Sequence, residues 1–203
     1  MNFFKKLLTA HEGPYFRSTV KDLASFGKNE GRASLEKDYI KLHNYPHPAS
    51  NYFKNGIIQA VDISQVYLEG CHLSIQLGPE IIFFLKDLKS DLQAFALRNK
   101  IPLAIRNSNW SLITEPFLDT EFTVEQKEQS IRLLISRGFS ELEISRLRTL
   151  IEKQMMKYNF DTMLNQWQEL DLHDVLLAMK PRMSKEDFKT FYWKAMEIEL
   201  RAR

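Results

Sequence analysis

His72-Leu73-Ser74-Ile75-Gln76-Leu77 alternates polar and apolar residues without a break, the rhythm of a strand with one buried face. Glu69-Gly70 before it and Gly78-Pro79 after it are turn signals. Residues 63–68 and 81–85 on either side are rich in Ile, Val, Tyr and Phe. The three runs predict an antiparallel meander, with residues 56–61 as a candidate fourth strand.

Downstream, Ser90 with Gln93 has the form of a capping box, and Leu88, Leu92, Phe95 and Ala96 recur on one helical face. Ile101-Pro102 ends that helix, and residues 103–105 read as one more strand. Residues 107–122 read as a strand or irregular crossover, because Glu115-Pro116 argues against a helix running through them. From Thr123 the apolar spacing widens to three and four. Thr123 with Gln126 opens a helix whose face is Ile131, Leu134 and Ile135, and Gly138 stops it. Ser140 with Glu143 opens the next, striped by Leu147, Leu150, Ile151, Met155 and Tyr158. A third covers about 163–179, before Pro181. A fourth starts at Ser184 with Asp187 and buries Phe188, Phe191, Tyr192, Ala195 and Met196.

Upstream, short helices are expected at about 19–26 and 35–42, with 43–56 as a loop forced open by Pro46 and Pro48. Met1 to Leu8, Met-Asn-Phe-Phe-Lys-Lys-Leu-Leu, reads as a short amphipathic helix; it lacks the apolar stretch and cleavage site of a signal peptide. The fold expected is therefore α+β. An N-terminal antiparallel β-meander with flanking helices occupies residues 1–122, and an all-helical region of about four helices occupies 123–203. Over residues 57–100 the meander and its following helix are similar in topology to the end of bacterial pleckstrin-homology-like domains. The likeness carries no residue motif, and helices at 19–42 depart from that fold's strand-rich start.

Composition narrows the function classes. The 203 residues are 44% hydrophobic and 27% charged, an ordinary globular balance able to form a core. The 28 basic and 26 acidic residues are interspersed, so no basic stripe invites nucleic acid. A single cysteine, Cys71, fits a reducing compartment, and a cytoplasmic location is expected. No run approaches the ~20 apolar residues of a membrane span. Neither GxGxxG, GxxxxGK[ST] nor GxSxG occurs, which removes the commonest phosphate loops and nucleophile elbow.

Three constellations are candidates for chemistry. His43, His47, Cys71 and His72 are ligand types zinc accepts, but Pro46 and the adjacency of Cys71 and His72 give them poor spacing. Arg106, Trp110, Glu115, Asp119 and Glu121 combine an anion binder, an aromatic ring and clustered carboxylates in the segment joining the two halves. They are the leading candidate for a ligand or partner site. Asp171, His173 and Asp174 hold a histidine among acids, but neighbours on a helix diverge by about 100°. Asp171 and Asp174 instead suggest an exposed acidic rim. Met155, Met156, Met163 and Met179 suit an adaptable apolar surface as well as a core. The function expected is a non-enzymatic protein-interaction or regulatory module with another protein as partner and no cofactor. The alternative is a carboxylate-based hydrolase, with or without a divalent metal, working from residues 106–121.

Overall fold

A computed structural model of the chain describes residues 32–118, 123–161 and 170–201. The helices expected at 1–8 and 19–26 lie outside them. The fold is α+β, with two sheets and six α-helices among the described residues. These fall into two compact units: a sheet unit within Ser25–Asn107 and Met183–Leu200, and a helical unit within Ser108–Arg182 joined by Arg201. No helix among the described residues is long and apolar enough to cross a membrane.

The sheet unit opens with β1 (Arg32–Leu35), β2 (Tyr39–Tyr45) and β3 (Lys54–Gln59), an antiparallel sheet in that order. This overturns the helix expected at 35–42 and shortens the loop expected at 43–56. Leu35, Tyr39 and Leu42 do share a helical face, but Ile40 and Leu42 also alternate with Lys41 and His43. Pairing decides between the two: Ile40 faces Ile58 across the sheet, and both are fully buried. The candidate fourth strand of the meander therefore belongs to this first sheet.

The second sheet has the order β6-β5-β4-β7: β4 (Gln65–Tyr67), β5 (Leu73–Leu77), β6 (Glu80–Phe84) and β7 (Leu103–Ala104). The first three are the expected meander, and β7 runs parallel to β4. Between β6 and β7 lies α1 (Lys89–Arg98), which buries Leu92, Phe95 and Ala96 as anticipated. Its N-cap is Leu88 with no side-chain cap, so the Ser90–Gln93 box does not form. The capping position falls two residues earlier than the motif suggests, after the 3-10 turn at Lys86–Leu88.

β6 is buried along its whole length because both its faces are covered. Ile82 and Phe84 enter the main core with Ile40, Ile58, Val66 and Phe95. On the other side lies α6 (Lys185–Leu200), started by Ser184, whose Oγ accepts from the Asp187 N–H at 3.1 Å. As a sheet edge, β6 also has outward N–H groups to satisfy. Ile81 N–H donates to the Met196 sulfur at 3.4 Å, and Phe83 N–H donates to the Tyr45 hydroxyl at 3.2 Å. The Tyr192 hydroxyl donates to the buried Glu80 carboxylate at 2.7 Å, and Asn51 Nδ2 donates to its other oxygen.

Burial pushes the Tyr45 phenol far above its ordinary range, and burial first, then Tyr45 and Glu80, does the same to Tyr192. The sign of the stability effect follows. Below the unfolded value of about 10, both states keep both protons and stability is intact. Above it the unfolded chain ionises while the folded chain does not, so stability falls. Each tyrosine should contribute a slope of about 1.4 kcal/mol per pH unit there. Urea unfolding at pH 9, 10 and 11 should show the loss, and Tyr45→Phe should flatten the slope while lowering stability at pH 9. An unchanged slope in that variant contradicts the assignment.

The helical unit contains α2 (Asn109–Thr114), α3 (Val124–Ser136), α4 (Glu141–Asp161) and α5 (Leu172–Met179). α2 corrects the non-helical reading of 107–122. Ser108 caps it by accepting from the Ser111 N–H at 3.1 Å. Pro116 follows in a 3-10 turn at Glu115–Phe117, where its missing N–H costs nothing. Proline forbids a helix continuing through it, not one ending just before it. α5 starts at Leu172, and residues 163–169 of the helix expected there lie outside the described part. Asp171 is its N-cap and forms a reciprocal capping box with Asp174. Both acids are buried, which corrects the exposed rim expected there. Asp174 also accepts from the Tyr158 hydroxyl at 3.0 Å.

Candidate functional site

One concavity among the described residues of the helical unit begins with two well-specified helix ends. Thr123 and Gln126 form the expected capping box at the start of α3. At its end Gly138 takes φ +84, the left-handed conformation glycine adopts without a Cβ penalty. The Gly138 N–H donates to Ile135 O at 2.9 Å and the Phe139 N–H to Leu134 O at 3.1 Å, the paired bonds of a Schellman stop. Ser140 then caps α4 by accepting from the Glu143 N–H at 3.1 Å. So short a connection brings α3 and α4 side by side.

Between them lies a groove of about 620 Å³, within the size range of ligand and peptide sites. α3 contributes Glu128, Ile131, Arg132 and Ile135, spaced i, i+3, i+4 and i+7. Ile144 and Phe117 supply buried apolar wall, while Ile131 is half-buried and Ile135 is 43% exposed. The rim is charged. Glu128 pairs with Arg132 at 3.1 Å on the surface, and Glu141 and Glu152 of α4 stand exposed along the other side.

Arg148 stiffens one wall. Its guanidinium donates to the carbonyls of Leu112 and Ile113 at 3.1 and 3.3 Å, at the end of α2 where a cation is favoured. Burial draws its pKa below the usual value, and the nearby Glu115 carboxylate opposes that shift. Glu115 in turn accepts from the Ser130 hydroxyl. Both charges are thus committed to the wall.

The residues singled out from sequence scatter. Arg106 lies in the sheet unit, buried against Glu199 at 3.3 Å. Trp110 is fully buried in α2, a core residue of the helical unit. Glu115 is half-buried beside the groove, and Asp119 and Glu121 lie outside the described residues. Of the zinc-type residues, His43 sits in β2 opposite Arg32 and Asn55. His47 is fully buried, its ring edge-on to Tyr45 at 5.3 Å and 6.0 Å from Tyr192. Cys71 and His72 are half-buried before β5. No three of these four place ligand atoms within 4.8 Å of one another. Met155 and Met179 are buried, Met156 is 48% exposed, and Met163 lies outside the described residues.

Ile131, Leu134 and Ile135 share one helical face in the sequence, which does not by itself reveal the groove. Only Leu134 of the three is buried. The available signal was Leu133-Leu134-Ile135, three consecutive apolar residues that a helix spreads over about 200° and no single core can cover. No protein-family model, curated protein or solved structure matches this chain. The topological likeness to pleckstrin-homology-like domains gains no support from them, and the groove stands on its own chemistry.

Proposed function

We propose that this protein is a non-enzymatic interaction module whose α3–α4 groove takes an apolar segment of another protein. One observation carries the reading: α3, a helix of 13 residues, buries only Ser130 and Leu134 while Val124, Leu133 and Ile135 stay exposed. A helix in a finished core hides its apolar stripe. One that lines a groove with isoleucines resembles the helix-in-groove mode of peptide recognition, where i, i+3 and i+4 anchors enter an apolar cleft. The charged rim would set orientation and reject unsuitable partners.

Panning a random peptide-display library against the immobilised chain tests this. Enrichment is expected to select sequences with helically spaced apolar anchors. Ile135→Asp should reduce that enrichment at least tenfold, about 1.4 kcal/mol of binding, with an unchanged denaturation midpoint because the residue is already partly in water. Absence of enrichment, or enrichment indifferent to Ile135→Asp, refutes the reading.

A further inference from the structure

We infer, resting on the docking reading above, that the partner of the groove is a basic amphipathic helix with lysine or arginine at both ends of an apolar stretch. Most charges along the groove are already committed to each other or to the wall. Glu128 and Arg132 pair at 3.1 Å. Arg148 donates to the carbonyls of Leu112 and Ile113, with the Glu115 carboxylate nearby. That leaves Glu141 and Glu152, both exposed, with no ion pair or side-chain hydrogen bond among the described residues. The charges still open on this rim are both negative.

Their spacing sets the pattern a partner must carry. Glu141 and Glu152 are eleven positions apart on α4. Eleven residues make about three turns, so both carboxylates leave one face of the helix about 16 Å apart. Ile144 lies between them, and Ile131 and Ile135 line the facing wall. A helix laid along α4 matches this with cations about three turns apart and apolar residues at spacings of three and four between them. Lysine and arginine carry their charge on long stems, so the heads can meet the carboxylates while the apolar anchors fill the cleft. Exposed ion pairs are weak singly, so the anchors supply most of the hold. The cations select the partner, because an acidic helix would meet like charge at both ends. General attraction does not create this preference, since the whole chain carries a formal charge of +2.

The test pans displayed helical peptides of about fifteen residues, roughly four turns, against the immobilised full chain. Leucine is fixed at helically spaced central positions, and two flanking positions three turns apart are randomised. Lysine and arginine should exceed aspartate and glutamate at both flanks by roughly fivefold or more. Glu152→Lys should instead select peptides with one basic and one acidic flank. Glu141→Gln with Glu152→Gln, which changes charge at nearly constant size, should abolish the preference. Both positions are exposed, so the denaturation midpoint should hold in these variants.

Flanks without a basic preference, or a preference indifferent to these substitutions, overturn the inference. If the leucine-bearing peptides still bind and Ile135→Asp still removes them, the groove remains an apolar docking site. Binding indifferent to Ile135→Asp, or no binding, removes both.

Discussion

Glu199→Ala should lower the stability of the fold by about 3–5 kcal/mol, the usual cost of breaking a buried ion pair by removing one partner. The Arg106 and Glu199 side chains are 2% and 0% exposed, so neither ion has bulk water to fall back on. Their contact of 3.3 Å is not short, and the Arg106 guanidinium also stands 5.4 Å from the Phe83 ring centre. Removing the carboxylate leaves that guanidinium next to an aromatic ring in a desolvated site. For a chain of this size the loss corresponds to a fall in Tm of roughly 6–20 °C. The paired substitution Arg106→Met with Glu199→Leu should recover most of the loss, because an apolar pair of similar volume needs no mutual geometry to be stable there. Thermal unfolding followed by circular dichroism measures all three proteins. A loss below about 1 kcal/mol for Glu199→Ala would mean the site is wetter than its burial implies.

That ion pair illustrates what local sequence reading can and cannot reach. Residues 73–77 were legible because a strand's period and its bounding turns lie within ten residues of chain. Thr123 with Gln126, and Ser140 with Glu143, were legible for the same reason: a cap bonds to groups three positions away. Residues 35–42 were not, since Leu35, Tyr39 and Leu42 fit one period and Ile40 and Leu42 fit the other, and the arbiter is Ile58, eighteen residues beyond Ile40. Arg106 looked like an anion binder because its partner is 93 positions downstream, on a helix whose stripe gives no hint of a buried acid. The groove was half visible. Periodicity places Ile131, Leu134 and Ile135 on one face but does not say that only Leu134 of the three is buried. The acids at 115–121 have the composition of one site, yet Glu115 is spent on Ser130 and the wall of the groove.

Trp110 separates a ligand contact from a core residue most sharply. It is fully buried in a helix of six residues, and that helix touches α3, α4 and α5 alike, so it is the hub on which the helical unit packs. The hub is held by polar ties too: the Thr114 hydroxyl donates to the carbonyls of Trp110 and Leu170, and Arg137 donates to Asn109 at 2.7 Å. These ties restrain the backbone, so the space left by a lost indole cannot close fully, and incomplete collapse is what makes large-to-small core changes expensive. Trp110→Ala should therefore cost about 3–5 kcal/mol, and Trp110→Phe distinctly less because more of the volume is kept. Ile135→Asp at the groove should change stability by no more than about 0.5 kcal/mol, as an exposed position does. Denaturant titration of the three variants reads the contrast directly. Were Trp110 a recognition residue rather than the hub, Trp110→Ala would behave like Ile135→Asp, leaving the unfolding midpoint in place and altering only what the protein binds.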